Sequence, residues 1–253
     1  MGWQPNYQTE ARLYAKYLLG SKPGARIAVL YQNDDFGRDY LKGLRDGLGA
    51  QAEKMIVKEV SYEVSDPTVD SQVVTLKASE ADTYYIIATP KFAAQAIRKT
   101  YDIGWKPLTF ITNVSTSVAT VLQPAGLEKS IGLITALYVK DPTDPQWEKD
   151  PAMKNWLTWM NKYYSDGNVK DISNVYGYAA AQTMVQVLKQ CGDDLTRENV
   201  MRQAANLKNL EIPQLLPGIR INTSPTDFYP IEQVPLAHFD GKRWVLFGEV
   251  IGK

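Results

Sequence analysis

Apolar and polar positions change period repeatedly over residues 6–138, which predicts strands and helices in alternation. The clearest example is the segment 26–48, RIAVLYQNDDFGRDYLKGLRDGL. Its apolar run Ile27–Tyr31 is typical of a buried strand, a polar turn follows, and the residues from Phe36 onward are apolar at helical spacing. Asp34 or Asp35 can cap this helix, because a carboxylate accepts hydrogen bonds from the free N–H groups of a first turn. The segment is therefore predicted to be a strand–turn–helix unit.

The same alternation extends over the first half of the chain. The predicted helices are Tyr7–Leu19, Phe36–Leu48, Val69–Lys77 and Phe92–Ile103. The predicted strands are Ile27–Tyr31, Met55–Ser61, Thr83–Ala88, Leu108–Thr112 and Ile131–Val139. Repeated β-α-β order implies right-handed crossovers and a doubly wound parallel sheet covered by helices. The predicted fold class is α/β.

The pattern changes after the proline-rich polar stretch 141–150, DPTDPQWEKD. Three helices without intervening strands are predicted there, over 151–164, 174–190 and 196–207. The second of them is apolar over more of its surface than a solvated helix normally is, so it is expected to require a sheet that this sequence does not contain. The last residues return to short strands, with Asp240-Gly241 as a hairpin turn.

The turn 32–35 is the first place to expect a binding site, because ligands of open parallel sheets bind beyond the carboxyl ends of the strands. No glycine precedes the helix, so a glycine-rich phosphate loop is not predicted. Contact with a small molecule through side chains fits better, with Phe36 as an apolar wall. Phe36 could instead cover the core at the start of its helix. The acidic pair Asp34–Asp35 fits a solvated turn and helix cap better than a metal site or a general base.

Composition narrows the classes of function. Lys and Arg together number 28 and Asp and Glu number 28, so the net charge is zero and nucleic acid or an anionic membrane is not expected as the main partner. The single cysteine, Cys191, excludes an internal disulfide and a multi-cysteine metal site. The single histidine, His238, disfavours a Ser-His-Asp or Cys-His device. No metal or cofactor is predicted.

The N-terminal segment shows no export signal, because no basic region is followed by an apolar core and a small-residue cleavage site. No run reaches the roughly 18 apolar residues of a membrane span. Taken alone, these residues predict a soluble, unexported chain.

Four stretches resemble the type I periplasmic solute-binding proteins of ABC importers, in the branch for branched-chain amino acids and related hydrophobic or aromatic carboxylates. They are the segment 26–48 above, VSYEVSDPTVDSQVVTLKASEADTYYIIATPKFAAQAIRKTYDIGW, NVYGYAAAQTMVQVLKQCG and IEQVPLAHFDGKRWVLFGEV. The resemblance covers essentially the whole chain. It implies a flytrap of two α/β lobes, a periplasmic location, and delivery of a small ligand to a membrane permease; the oligomeric state is left open.

The resemblance also implies how the chain divides. Residues 1–139 match a complete lobe 2, residues 140–218 match a helical remnant of lobe 1, and residues 219–253 match return strands that pack on lobe 2 and the hinge. The N-terminal series of lobe 1 is not present in this sequence, which would explain the apolar helix that lacks a sheet.

Relatives bind their ligand with side chains from the turns that follow the strands of lobe 2. Phe36 matches an aromatic position in the first of these turns that is often tyrosine, and residues 89–90 and 113–115 match a second and a third. The candidate ligand-binding residues are Phe36, Asp35, Thr89, Pro90, Asn113, Val114, Ser115 and Tyr176. Structural alternatives remain open: Thr89 could be only a helix cap, Asn113 and Ser115 could only close their turn, and Tyr176 could pack in a core.

The third turn, within ITNVSTS, has no acidic residue. Relatives that bind amino acids often place an acid there to pair with the ligand ammonium, and a buried ammonium without a partner costs several kcal/mol. An aromatic or aliphatic carboxylate is therefore a candidate ligand beside a hydrophobic amino acid. The leading prediction is a non-enzymatic receptor of an ABC importer. The alternatives are a ligand-sensing regulator of the same fold and, less favoured, an α/β enzyme.

Overall fold

The computed structural model describes residues 2–252, which form two compact units. The first, called here the sheet unit, comprises Tyr7–Ala136 and Pro235–Ile251. The second, called the helical unit, comprises residues 2–6, Leu137–Val234 and residue 252. Each unit has its own internal contacts and is described separately below.

The sheet unit contains the predicted alternation of strands and helices. Its strands are β1 (Ile27–Gln32), β2 (Ile56–Tyr62), β3 (Thr83–Ile87), β4 (Leu108–Ile111), β5 (Ile134–Ala136), β6 (Val234–Phe239) and β7 (Trp244–Ile251). Its helices are α1 (Tyr7–Ser21), α2 (Asp35–Leu48), α3 (Ala52–Met55), α4 (Asp70–Lys77), α5 (Pro90–Asp102) and the short α6 (Gln123–Ala125). The predicted helices and strands of this region are confirmed, with ends that differ by a few residues.

The strands form a seven-stranded sheet in the order β2-β1-β3-β4-β5-β6-β7. Strands β1 to β5 pair in parallel, so their carboxyl ends meet at one edge. Strand β6 pairs antiparallel to β5, so the sheet is parallel over β1 to β5 and becomes mixed at this side. The predicted strand Ile131–Val139 is also too long. Only Ile134–Ala136 lie in the sheet, because Tyr138 and Val139 pair with Leu216 and Leu215 of the helical unit.

Helices α1 and α2 approach each other closely because two glycines of α2 face α1. A Cβ atom at Gly43 would lie 2.4 Å from the backbone oxygen of Gln8, and one at Gly47 would lie 2.6 Å from Cβ of Ala15. Any larger side chain at these positions would push the helices apart. The close approach places Glu10 of α1 beside Tyr40 of α2, and this contact recurs in the site below.

The helical unit contains α7 (Pro151–Tyr163), α8 (Ile172–Cys191) and α9 (Arg197–Ala204). Helix α9 is shorter than the predicted 196–207, with Thr196 as its N-cap. The segment 219–223 pairs with 207–210 through an antiparallel bridge between Leu210 and Ile221. Residues 219–234 belong to the helical unit. The division at residues 139 and 218 that the family resemblance implies stays a prediction.

Several expectations about single residues can be compared with the described part of the chain. Cys191 is buried at the end of α8, as predicted for a structural thiol. His238 is half-buried on β6, with its ring 5.8 Å from the ring of Phe247. Within residues 2–252 no helix is long and apolar enough to cross a membrane. The same residues contain no group of three or more His, Cys, Asp or Glu side chains arranged to hold a metal ion.

Candidate functional site

The three predicted contact turns follow β1, β3 and β4, which are neighbours in the sheet. Hydrogen bonds join these turns directly. The Thr89 hydroxyl donates to Oε1 of Gln32 at 3.0 Å, which links the turn after β3 to the end of β1. The Ser115 hydroxyl donates to the carbonyl oxygen of Ala88 at 2.7 Å, which links the turn after β4 to the turn after β3. The candidate residues of the sheet unit are thus brought together at one edge.

The turn after β1 is shaped by Asp34 and Gly37. Asp34 is the N-cap of α2, because its Oδ1 accepts from the backbone N–H of Gly37 at 3.2 Å. A Cβ atom at Gly37 would lie 1.9 Å from the carbonyl oxygen of Gln32, so only glycine fits there. Asp35 is the first residue of α2 and is exposed. Capping is therefore the role of Asp34, and Asp35 is left facing solvent.

Gln32 and Tyr62 form a polar network beneath Thr89. The Tyr62 hydroxyl donates to Oε1 of Gln32 at 2.9 Å and accepts from the backbone N–H of Thr89 at 3.1 Å. Gln32 and Tyr62 are both buried, and burial raises the pKa of the Tyr62 hydroxyl, so the phenol is neutral at physiological pH. The network fixes the backbone of the turn after β3.

The first turn of α5 has N–H groups that the Thr89 side chain does not cap. Thr89 occupies the N-cap position, but its side chain makes no capping hydrogen bond, and its hydroxyl donates to Gln32 instead. Pro90 follows at the first helical position and is exposed. Since the first N–H groups of a helix have no partner within it, this end of α5 offers donors and a positive partial charge. The cap interpretation of Thr89 is correct for its backbone and wrong for its side chain.

Phe36 lies in an aromatic cluster on the α2 side of this edge. Its ring contacts the rings of Tyr7 at 5.1 Å and Tyr40 at 5.3 Å, both edge to face, and the rings of Tyr7 and Tyr40 stack at 5.0 Å. Phe36 is half-buried. It therefore keeps an accessible face while two tyrosines fix its position.

Most polar groups in the turn after β4 form hydrogen bonds with other groups of the protein. Asn113 and Ser115 are buried, whereas Val114 is half-buried. In this turn Oγ1 of Thr112 and Oδ1 of Asn113 are buried without a hydrogen-bond partner among the described residues. Buried polar atoms of this kind are uncommon in native structures and often mark functional positions. Ser115 and part of Asn113 serve the turn itself, as the structural alternative proposed, and Val114 is the residue with an accessible side chain.

Glu10 of α1, which was not predicted as a site residue, is hydrogen-bonded to this third turn. Its carboxyl group accepts from the backbone N–H of Asn113 at 2.8 Å, from the Asn113 amide, and from the hydroxyls of Tyr14 at 2.5 Å and Tyr40 at 2.7 Å. Burial raises the pKa of Glu10 to about 7, although these four hydrogen bonds act in the opposite direction. Because its acceptor positions are filled, Glu10 does not offer a carboxylate to a ligand ammonium.

A sequence signal for Glu10 exists. It lies within the stripe of α1 that also includes Ala11, Tyr14, Ala15 and Leu18, so helical periodicity places it on the buried face. An acid on a buried face requires partners, and Tyr14 stands four residues away. Its third-turn partner could not be read from the chain, because Asn113 is more than a hundred residues distant.

Tyr176, the remaining candidate, belongs to α8 in the helical unit. It is half-buried, and its ring packs edge to face against the ring of Trp3 at 5.5 Å. The indole N–H of Trp3 donates to the Thr183 hydroxyl at 2.8 Å. Within its own unit Tyr176 is thus fixed by packing, in line with the core alternative.

Two open cavities of similar size do not involve the candidate residues. One, of about 400 Å³, lies in the helical unit between the 142–148 segment and α7 and includes Trp147 and Trp156 in its wall. The other, of about 360 Å³, lies in the sheet unit around Trp105 and Pro107, near the start of β4. The second is at the opposite end of the strands from the three turns. Neither cavity replaces the carboxyl edge of the sheet as the candidate site.

The sequence of residues 1–243 matches a family model described as periplasmic binding protein. The chain belongs to this family. Periplasmic binding proteins of this kind capture small solutes for ABC transporters and are not enzymes as a class. No curated protein sequence matches the chain significantly.

Solved structures of periplasmic binding proteins share the fold at low sequence identity. A substrate-binding periplasmic protein from Ralstonia solanacearum is 22% identical with a TM-score of 0.79, over 100% of this chain and 68% of that one. A branched-chain amino acid ABC transporter protein from Thermus thermophilus with bound valine is 15% identical with a TM-score of 0.83, over 98% and 65%. A solute-binding protein from Rhodopseudomonas palustris in complex with benzoate is 16% identical with a TM-score of 0.73, over 98% and 65%.

These comparisons confirm the predicted α/β fold of the type I periplasmic binding proteins. The chain spans only about two thirds of the length of the structures that it matches, between 65% and 68%. At these identities the likeness shows the fold and does not identify the ligand of this chain.

Proposed function

We propose that this chain is a solute-binding component of an ABC importer that captures a small hydrophobic amino acid or an aromatic or aliphatic carboxylate and delivers it to a membrane permease. The observation that carries the proposal is the set of three hydrogen-bonded turns at the carboxyl edge of the sheet in a member of the periplasmic binding protein family. For the whole protein the proposed location is the periplasm.

The chemistry of the turns supports a ligand with one apolar and one anionic end. The half-buried ring of Phe36 offers an apolar surface. The N-terminal end of α5, not capped by the Thr89 side chain, offers N–H donors of the kind that bind carboxylates at helix termini. Phe36, Asp35, Thr89, Pro90, Asn113, Val114 and Ser115 remain the proposed contact residues of the sheet unit, with Tyr176 as the proposed contact of the helical unit.

Within this class, the charges favour a carboxylate that carries no ammonium group. The turn after β4 has no acid of its own, and the Glu10 carboxyl behind it is enclosed by four donors. Asp35 is exposed, where pairing with a charge contributes little. An ammonium group would therefore gain less here than it loses in solvation.

The test compares ligands that differ by one group. Calorimetric titration of the full chain with valine and with 3-methylbutanoate, which lacks only the ammonium, isolates the contribution of that charge. Benzoate and the neutral benzyl alcohol isolate the carboxylate in the same way. We expect 3-methylbutanoate to bind at least as tightly as valine, and benzoate to bind where benzyl alcohol does not. Ligand at 100 times its Kd should also stabilise the fold by about 2.7 kcal/mol.

A pair of variants locates the site. Phe36→Ala should weaken binding of the preferred acid by about tenfold, because it removes most of a ring that the ligand would cover. Tyr101→Ala, which truncates an exposed ring near the other end of α5, should leave the affinity unchanged. Micromolar binding of valine or leucine with both acids inert would refute the carboxylate preference. A regulator of the same fold would bind ligand equally well but would be captured by a signalling partner and not by permease subunits.

A further inference from the structure

Glu10 joins three elements of the sheet unit through one buried carboxyl group. Its Oε1 accepts from the Tyr14 hydroxyl of α1 and from the backbone N–H of Asn113 in the turn after β4. Its Oε2 accepts from the Tyr40 hydroxyl of α2 and from the side-chain amide of Asn113. Glu10 itself is 0% exposed. The carboxyl group therefore holds the third contact turn against both helices.

The donors of Glu10 lead to two separate parts of the candidate site. The ring of Tyr40 contacts Phe36 and stacks on Tyr7, so its position determines the aromatic cluster. Asn113 begins the turn that includes Val114 and Ser115. A change in the hydrogen bonds of Glu10 would therefore affect both the aromatic cluster and the turn after β4.

The groups that face Glu10 are Tyr14 from α1, Tyr40 from α2, and Asn113 from the turn after β4. Thr135 from β5 stands behind Tyr14, with its Oγ1 3.3 Å from the Tyr14 hydroxyl oxygen. Both tyrosines have a pKa raised by burial and by Glu10, so they stay protonated. Burial raises the pKa of Glu10 to about 7, and the hydrogen bonds from Tyr14, Tyr40 and Asn113 act against that shift.

The two protonation states of Glu10 require different hydrogen bonds. The ionised carboxylate can accept from all four donors. The protonated carboxyl must instead donate one hydrogen bond, and an N–H group cannot accept it. The Asn113 amide can turn over and present Oδ1, which is buried and has no partner in the present arrangement. The Tyr14 hydroxyl is the poorer acceptor, because its oxygen already accepts from the backbone N–H of Ala136 at 2.9 Å.

We propose that Glu10 is a positioning residue of the ligand site, and that its protonation turns over the Asn113 side-chain amide and thereby changes ligand affinity. This inference rests on the proposed function, since it assigns a role to a residue behind the proposed contact turns. Glu10 acts through Asn113 and Tyr40 and does not touch the ligand.

The first test needs no ligand. In the 15N-labelled full chain, the backbone and side-chain amide resonances of Asn113 are followed over a pH series. We expect a single transition near pH 7 in the wild type and none in Glu10→Gln. In Tyr40→Phe the ionised carboxylate loses one donor, so the midpoint should move upward by roughly one pH unit. A resonance that does not titrate in the wild type, or that titrates unchanged in Glu10→Gln, would overturn the proposal.

The second test measures the Kd of benzoate and of 3-methylbutanoate below and above the transition. We expect wild-type affinity to change by about fivefold or more and the affinity of Glu10→Gln to stay constant. Glu53→Gln, which changes an exposed acid paired with Arg45, is the matched control and should keep the wild-type profile. A merely structural Glu10 would lower the thermal stability of the variant but leave the pH profile of Kd in place, which would overturn the proposal.

The two tests also separate this inference from the proposed function. Titration of Asn113 without binding of either acid would overturn the proposed ligand class, and with it the role of Glu10 in affinity. Binding of an acid with a pH-independent Kd would support the proposed function and overturn the role of Glu10 alone.

Discussion

The helices of the sheet unit and of the helical unit differ in how completely their apolar side chains are buried. In the sheet unit, α2 buries Tyr40, Leu41, Leu44 and Leu48 and exposes polar side chains such as Lys42. In the helical unit, α8 buries one stripe at helical spacing, yet Met184, Val185 and Leu188 on its other faces are 39–50% exposed. Periodicity thus predicts the buried face of α2 well, whereas α8 keeps apolar side chains on the faces outside its buried stripe.

The two units also differ in how they treat a buried acid. Glu10 in the sheet unit has four donors for its two oxygens. Asp141 in the helical unit accepts twice from Thr143 at Oδ1, and its Oδ2 is buried without a partner within the described residues. The first acid is part of a network that joins elements, whereas the second only shapes a local turn.

The largest expected difference between the units concerns the free energy of unfolding after glycine is replaced by alanine in one helix of each. Gly37→Ala in α2 would place Cβ 1.9 Å from the Gln32 carbonyl oxygen, so the turn after β1 must move. We expect a loss of about 3 kcal/mol in the free energy of unfolding, at the upper end of overpacking effects. Gly177→Ala in α8 meets nothing within 4 Å and should stabilise by about 0.5–1 kcal/mol, because alanine has the higher helix propensity. Urea unfolding measures both.

Equal effects at Gly37 and Gly177 would show that the turn after β1 is not held as tightly as the glycine contact implies. A large loss at Gly177 would indicate that the solvent-facing side of α8 is covered in solution.

The fold of the sheet unit was largely predictable from the sequence, because each of its elements repeats a clear period and the β-α-β order leaves few topologies. The antiparallel addition of β6 was not predicted. Strand β6 is almost a hundred residues from its partner β5, and nothing local in VPLAHF distinguishes the two directions. The ends of β5 were missed for a related reason, since the backbone partners of Tyr138 and Val139 lie far along the chain, at Leu216 and Leu215.

The sequence predicted where the contact turns lie along the chain, and their role in binding stays a prediction. The strand–turn–helix pattern indicated the turn at Phe36, and the family resemblance implied the turns at Thr89 and Asn113. The sequence did not predict the residues that hold those turns, which are Gln32, Tyr62 and Glu10. Their roles depend on contacts between distant segments. Whether a polar residue contacts the ligand or supports the turn is decided by its partners in space, as Ser115 and Ala88 illustrate.

A second prediction uses the contrast between the two buried acids. Burial raises the pKa of Asp141 from 3.8 to about 6. A carboxyl with a raised folded-state pKa binds more protons in the folded state, so its contribution to stability is complete at low pH and is lost as the pH rises through about 6. Asp141→Asn keeps the acceptor for Thr143 and removes the charge. It should raise the free energy of unfolding at pH 7 by roughly 2 kcal/mol.

Urea unfolding over a pH series checks this prediction, with Glu10→Gln as the comparison. The free energy of unfolding of Asp141→Asn minus that of the wild type should rise with pH and become constant above about pH 6. The same difference for Glu10→Gln should keep rising until about pH 7. The other carboxylates cancel in each difference between variant and wild type. If Asp141→Asn follows the wild-type curve at every pH, water reaches Asp141 and the contrast with Glu10 disappears.

The smallest expected effect concerns the exposed apolar face of α8. Val185 on α8 and Val74 on α4 are almost equally exposed, at 50% and 48%. Val185 has Met184 and Leu188 as exposed apolar neighbours on the same helix, and contiguous apolar surface of this kind promotes association. We expect the chain to self-associate with rising concentration, and Val185→Glu to reduce its mass-average molar mass in light scattering. Val74→Glu should not, and both changes should alter the free energy of unfolding by less than about 0.5 kcal/mol. A wild-type chain that stays monomeric at all concentrations would show that these exposed side chains do not act together, and that the apolar excess of α8 is tolerated as scattered surface residues.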